Sequence, residues 1–406
     1  MHIISGKGVK IYREYYLNTD IMQFPMPKTV KIPTAYGGKG VIWKKTIGDR
    51  IEKYEIIAYL KNDIPVYANF SGYLKDIIFA SNLGGINGMQ YAVIETEKDD
   101  IPTYPLWSSE NLSGKELLLD AVKKSAIIDE LRKDFLFNTL NKNATYKKLL
   151  IDAVDDEPYQ LSRTAVLCTY LNEVVKGAQI IADFMNIPEK QLLMHKNFCT
   201  KKLFSEKIDG IKQVKMCGKY PALPAIKKYT SKENALRIGA ESCRAVYRAV
   251  YFSEPQLSNT VTVWGDGVNS PMNIEMPIGT CVNDILDFCN AGGMLERVVA
   301  GGVMTGYAAS VDYPLYRWDE SLTAMAFKKH HKTVECLNCG RCALVCPLGL
   351  APYYILRTSK YKGVMRAKQI CAETCNYCGA CSYICPARIP LGEKIKEFSE
   401  RGGEKT

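Results

Sequence analysis

Cysteine spacing constrains this chain more than any other feature. Cys336-Leu337-Asn338-Cys339-Gly340-Arg341-Cys342-Ala343-Leu344-Val345-Cys346-Pro347 is followed 28 residues later by Cys375-Asn376-Tyr377-Cys378-Gly379-Ala380-Cys381-Ser382-Tyr383-Ile384-Cys385-Pro386. Both runs read C-x2-C-x2-C-x3-C-P, the bacterial two-cluster pattern in which three cysteines ligate one [4Fe–4S] cube and the fourth reaches across to the other. Three thiolates on a tight loop cover three corners of a cube, the fourth begins a segment that points away, and proline then turns the chain. The pattern assigns Cys336, Cys339, Cys342 and Cys385 to one cluster, and Cys375, Cys378, Cys381 and Cys346 to the other. A pair of structural zinc sites would also use four thiolates each, but zinc ribbons favour two separated C-x2-C pairs.

Nine of the 15 cysteines fall between positions 336 and 385, a clustering that indicates metal ligation rather than disulfides. Cys371 reads as a free thiol on a helix, and Cys168, Cys199, Cys217, Cys243, Cys281 and Cys289, which lack ligand spacing, read as core or inert residues. His330 and His331 sit in the basic stretch 327–332, which reads as a solvated linker with a docking role for an acidic carrier as the alternative. The formal net charge is +10, from 53 Lys+Arg against 43 Asp+Glu. Two ligated clusters would remove roughly four of those charges, leaving a mildly basic chain that suits an acidic redox partner and makes no case for nucleic acid. The chain has no apolar run of membrane-spanning length and its start lacks the pattern of a signal peptide, so the expectation is a soluble, cytoplasmic protein.

A length of 406 residues supports several domains, and the sequence divides into four. Residues 1–30 read as an extended lead-in. Short β-type runs punctuated by Gly and Pro then predict a barrel-sandwich hybrid over 1–105. Such folds carry lipoyl or biotinyl groups on a hairpin lysine, but Lys61 lacks the flanking residues of a carrier site and the module reads as structural. Residues 106–256 alternate helical and apolar runs, as in an α/β layer. Helical character is expected over Leu117–Leu140, Arg163–Met185 and Lys232–Val250, with a strand over Lys147–Val154. Residues 257–325 run strand, hairpin, strand, helix, the start of a β-grasp unit that 298–306 would close. Residues 326–406 form the dicluster module, whose helical spacer, from Tyr353–Arg357 to Arg366–Ile370, favours an α-helical ferredoxin over the βαββαβ type. The overall fold class is thus multidomain α+β and α/β.

Beyond the cysteines, the chain resembles a family, the C subunit of the Rnf electron-transport complex and its relatives. These include the cobalamin reductase of propanediol-utilising microcompartments and the proline-reductase-associated electron-transfer protein. The matching pieces are collinear: Pro27–Pro33, Gly48-Asp49, Glu157-Pro158-Tyr159, Lys219-Tyr220-Pro221, Val261–Asp266, Pro277–Thr280, Ala300–Gly306 and Cys378–Pro386. The resemblance implies a Rossmann-like middle domain related to the flavin- and NADH-binding subunit of respiratory complex I, an SLBB-like β-grasp domain, and cofactor contacts at Glu157 and Tyr159. It also implies FMN and NADH, bound through a loop G-G-A-G-F-P-T.

Here that loop falls at Asp129–Thr139, which contains no glycine. Backbone N–H groups approach a phosphate closely only where Cβ atoms are absent, so this stretch should not cradle one. The family's N-G-A-E-C-E-P-Y reads Asp152–Tyr159 here, with Asp152 adding negative charge and Ala153 replacing glycine. The expectation is therefore an electron-transfer subunit with two [4Fe–4S] clusters and a degenerate FMN/NADH site, with no catalytic acid, base or nucleophile. Its partners would be a ferredoxin- or flavodoxin-like carrier, a reductase, or subunits of a membrane complex at whose periphery it docks, or it would work inside a microcompartment. The alternatives are an NADH-dependent flavoprotein reductase that uses the same clusters, and a non-redox assembly subunit whose clusters stabilise the fold.

Overall fold

The computed structural model describes residues 2–5, 7–10, 18–35, 40–60, 62–83, 86–98, 114–196, 208, 210–328, 332–362 and 372–401. Lys61, Cys199, His330, His331, Cys371 and the spacer segment 366–370 lie outside the described residues.

Five parallel strands form one sheet, in the order His2–Ser5, Ile211–Cys217, Glu189–His195, Lys148–Asp152, Ala235–Gly239. Leu149, Leu150 and Ile151 are all fully buried, as a parallel strand covered on both faces requires. Side chains alternate across the sheet. Leu149 and Ile151 pack with Val174 and Ile181 of the helix Leu171–Phe184 and Val246 of the helix Ala240–Phe252. Leu150 faces the other way, toward Ile226 of the helix Leu223–Glu233. The two helices on the first face cross so closely that a Cβ on Gly177 would lie 1.8 Å from the carbonyl oxygen of Cys243.

A second, mixed sheet has six strands, in the order Tyr307–Ala309, Leu295–Ala300, Ser321–Ala326, Ser258–Trp264, Met272–Pro277, Ile21–Gln23, with the helix Val282–Phe288 following its hairpin. The expected order of strand, hairpin, strand and helix is present. Two small antiparallel sheets come from the N-terminal third: Thr29–Ala35, Ile86–Thr96, Gly72–Leu83 and Arg50–Ile51 in one, and Ile42–Trp43, Ile56–Leu60 and Ile64–Tyr67 in the other. Their apolar residues, including Ile32, Ile57, Val66 and Leu74, are continuous with Val261, Ile274 and Ile285 of the mixed-sheet region. Among the described residues 332–401 the regular elements are all helical. The chain is thus a mixed α/β protein with several sheets.

Three helical expectations are corrected. Over Leu117–Leu140 the helix Gly114–Lys124 is followed by a hairpin, Ile128–Asp129 with Asp134–Phe135, and only then by the short helix Leu136–Leu140. The buried Asp129 carboxylate accepts the Leu131 N–H at 3.1 Å and the Thr139 hydroxyl at 2.8 Å, which holds the turn against helix continuation. The Lys232–Val250 reading merged three elements. Asn234, in the left-handed region at φ 48°, caps the helix Leu223–Glu233, the strand Ala235–Gly239 enters the sheet, and the helix Ala240–Phe252 begins next. The stretch Arg163–Met185 is two helices, Ser162–Thr169 and Leu171–Phe184, broken at Tyr170. Residues 1–30 supply edge strands to two sheets through His2–Ser5 and Ile21–Gln23.

Candidate metal centre

The two cysteine loops share a backbone conformation. Asn338 and Tyr377, each two residues past the first cysteine of its run, have φ of 51° and 53°; Gly340 and Gly379, each just past the second, have φ of 71° and 73°. Left-handed residues so close together curl a loop around its own N–H groups. Each loop then feeds a short helix, Arg341–Val345 or Ala380–Tyr383, that carries the third cysteine.

Cys336, Cys339, Cys342 and Cys385 line one cavity of about 210 Å³, walled by apolar side chains that include Leu337, Tyr353, Ile389 and Leu391. Cys346, Cys375, Cys378 and Cys381 line a second, tighter one of about 20 Å³, with Leu348, Leu350 and Ile395. The fourth cysteine of each run therefore faces the cavity of the other run. The donor set is all sulfur in both, and amide donors point at it: Asn338 N–H to Cys336 Sγ and Leu350 N–H to Cys346 Sγ, both 3.3 Å. Among the described residues no three His, Cys, Asp or Glu side chains converge as closely as a single metal ion would require. Four cysteine sulfurs stand around each cavity, and an all-thiolate donor set suits an iron–sulfur centre. Burial pushes the Cys378 thiol up to about 11 and the Cys381 thiol to about 12. Ligation must therefore displace their protons, as it does for any thiolate site.

The second cavity is braced from behind by three of the short runs noted in the sequence. The Tyr220 hydroxyl donates to the carbonyl oxygen of Cys378 at 2.7 Å. Glu157 accepts the Met304 N–H at 2.8 Å and the Thr305 hydroxyl, and its carboxyl lies 3.4 Å from the Tyr220 hydroxyl oxygen. Gly302, at φ 115°, has no room for a side chain: a Cβ there would lie 2.2 Å from Glu157 Cγ. Burial, its largest influence, pushes the Glu157 carboxyl up to about 7. Tyr159 stacks face to face on Trp264, ring centroids 3.7 Å apart. The structure thus places Glu157 behind the second cysteine loop, reached through Tyr220, and stacks Tyr159 on Trp264 of the mixed sheet.

A nucleotide phosphate does not fit the residues present at the corresponding crevice of the parallel sheet. Ligands of such sheets bind outside the carboxyl ends of the strands, where the strand order reverses. Here that point lies between the ends of Lys148–Asp152 and Ala235–Gly239, at the start of the helix Ala240–Phe252. Glu130 fills it. Its carboxyl takes the Ser242 hydroxyl and, at 3.4 Å, the Ser242 N–H, and it lies against the Cα of Gly239. Three guanidinium groups nearby are committed: Arg132 to Asp129 at 2.5 Å, Arg237 to Asp152, and Arg163 to both oxygens of Glu320 at 2.5 Å. Asp152, expected to add unfavourable charge, is thus neutralised within the protein. The next two acids have structural duties as well. Asp155 accepts the N–H groups of Arg163 and Thr164 at 2.9 and 3.1 Å, and Asp156 those of Ala222 and Leu223 at 2.5 and 3.3 Å. These contacts at two helix starts were missed in the sequence because neither Asp occupies an N-cap position: Asp155 lies ahead of the N-cap Leu161, and Asp156 reaches Ala222 across 66 positions. Of the remaining cysteines, Cys243 and Cys289 are buried and Cys168, Cys217 and Cys281 half-buried.

No family model matches the chain. The C subunit of the proton-translocating ferredoxin:NAD(+) oxidoreductase complex of Clostridium ljungdahlii is 28% identical over 377 residues, which take in 84% of this chain and 80% of the relative. Other curated homologues are C subunits of ion-translocating oxidoreductase complexes. The one from Klebsiella pneumoniae is 23% identical over 84% of this chain and 49% of its own length. The one from Rhodobacter capsulatus is 36% identical over 118 residues, 28% of this chain and 22% of its own. The chain spans about half, or less, of the length of these last two. An NAD+-reducing [NiFe]-hydrogenase structure in the air-oxidized state aligns with 72% of the chain and 57% of its own at a TM-score of 0.45 and 13% identity. The homologues bear out the resemblance read from the sequence. No helix among the described residues is long and apolar enough to cross a membrane.

Proposed function

We propose that the chain is an electron-transfer subunit that relays single electrons through two [4Fe–4S] clusters between a redox partner and another protein or complex. Cys336, Cys339, Cys342 and Cys385 would hold one cluster, and Cys375, Cys378, Cys381 and Cys346 the other. The observation that carries this reading is the crosswise lining of the two cavities, each with three cysteines from one run and the fourth from the other. When bound, each cluster accepts and releases one electron at a potential within the roughly −700 to +450 mV range of such centres. The chain's own residues position and tune. Amide donors at Asn338 and Leu350 stabilise charge on sulfur, and Tyr353 and Ile389 give the first cavity an apolar wall. Glu157, Tyr220 and Met304 hold the second loop in place.

On this reading residues 1–105 are a barrel-sandwich hybrid, 106–256 a Rossmann-like scaffold that has lost its nucleotide site, 257–325 an SLBB-like β-grasp and 326–406 the ferredoxin module. Glu157 and Tyr159 serve as structural ties rather than flavin contacts. Partners are a small redox carrier and the other subunits of an oxidoreductase complex, with docking at the periphery of a membrane complex. The name of the Clostridium relative favours the rival reading, an NADH-dependent flavoprotein reductase, and the crevice filled by Glu130 counts against it. Anaerobic purification with iron, sulfide and flavin analysis separates the two. The expected result is about eight iron and eight sulfide per chain with no flavin, and a dithionite-reduced EPR spectrum of interacting cubes. Zinc in place of iron would overturn the proposal, and stoichiometric FMN would favour the reductase.

A further inference from the structure

The two cavities differ in access, and the difference assigns them different positions along the relay. The second is the inner one. Cys346 and Cys381 are buried, and the loop around Cys378 packs against Tyr220, Met304 and Val9. The first opens outward, with Cys339 exposed at its mouth. Leu337 and Tyr354 line that opening and are 63% and 59% exposed; Val334, whose N–H bonds the lining residue Ala387, and Leu344, next in the chain to the lining residue Ala343, are 55% and 77% exposed. Exposed apolar groups are ordinarily scattered singly over a protein surface, and a cluster rimmed by charge marks an interaction site.

The charge on this rim is predominantly positive. Arg341 lines the cavity itself. Arg357 stands one turn beyond Tyr354 on the helix Pro352–Lys362, so the two share a face. Val334 donates its N–H to Ala387, and the Thr333 hydroxyl donates to the carbonyl of Arg388. Those bonds bring Lys332 and Arg388 to the same edge. All four cations are exposed, and the acid beside them is Glu335.

We propose that this apolar patch with its basic rim is the docking face for a small acidic iron–sulfur carrier, and that electrons cross between carrier and chain at the outer centre. The inference rests on the two-cluster reading above. In the step itself one electron passes from the reduced carrier to the outer centre. The carrier is oxidised by one electron and the centre reduced by one, with no bond made or broken. The apolar centre excludes water at contact, and the rim steers encounter.

Anaerobic stopped-flow mixing of the full chain with an acidic [2Fe–2S] ferredoxin tests this, because the ferredoxin spectrum is distinguishable from that of cubes. The reaction is run in both directions, since one face serves both. The second-order rate constant should fall at least about ten-fold in an Arg357→Glu/Arg388→Glu variant and steeply with added salt in the parent chain. Leu344→Ser should slow it several-fold, and Lys212→Glu, on the parallel sheet beside Gln191, should leave it unchanged. Reduction by titanium(III) citrate should be the same in all of them. Equal rates for parent and double variant, or a rate that rises with salt, would overturn the docking face while leaving the clusters standing. A chain that titanium(III) citrate cannot reduce would overturn both readings.

Discussion

At the scale of single residues, the cysteine partition makes the sharpest demand. Cys385 belongs by sequence to the second run and by position to the first cavity. If ligation follows position, Cys336→Ser and Cys385→Ser damage the same cluster, and the double variant should still hold about four iron per chain. Cys336→Ser with Cys375→Ser should hold almost none. Iron and sulfide counts on anaerobically prepared variants decide the matter, and equal losses in the two double variants would refute the partition. This part of the site was legible because it is local: a cube dictates the spacing of its ligands along a few residues of chain. The filling of the crevice was only half legible. The lack of glycine in 129–139 announced that a phosphate cradle was gone. Nothing in the spacing announced what took its place, because Glu130 meets Ser242 across 112 positions and Arg163 meets Glu320 across 157.

Among the elements, those set by a continuous apolar run or an alternating pattern were read well, as with Lys148–Asp152 and the hairpin of Ser258–Trp264 with Met272–Pro277. Elements that depend on one polar side chain were not. The strand Ala235–Gly239 hides between two helices of similar composition and is set off by the left-handed cap at Asn234. The convergence of Glu157, Tyr220 and Met304 under the second cysteine loop is likewise tertiary, and it makes a prediction. Tyr220→Phe removes the donor to the Cys378 carbonyl and leaves a half-buried acceptor unpaired, at a cost of about 1–3 kcal/mol. In a Cys336→Ser background, where the inner centre alone remains, Tyr220→Phe should lower the melting temperature and speed loss of iron in air. Unaltered iron retention would show that the hydroxyl does not brace the loop.

For the whole molecule, buried acids tie stability to pH in an unusual direction. Burial pushes the carboxyl of Glu130 from the ordinary value near 4.5 up to about 8, and those of Glu157 and Glu241 up to about 7. The folded chain therefore holds protons that the unfolded chain has already released. Below about pH 4.5 both states are protonated and these groups contribute no slope. From there upward each costs stability, at most roughly 1.4 kcal/mol per pH unit, until its folded-state value is passed. The penalty levels off near pH 7 for Glu157 and Glu241 and near pH 8 for Glu130. Glu130 is thus a mostly neutral plug at pH 7, accepting from Ser242 while Asp129, Asp152 and Glu320 consume the nearby guanidinium groups. Glu130→Gln keeps the shape and an acceptor but cannot ionise. Measured against the parent at equal iron content, its melting temperature should gain steadily between pH 5 and pH 8. Parallel profiles for the two proteins would mean that Glu130 keeps its charge in the crevice, and a charged carboxylate there would have to be balanced by Arg163.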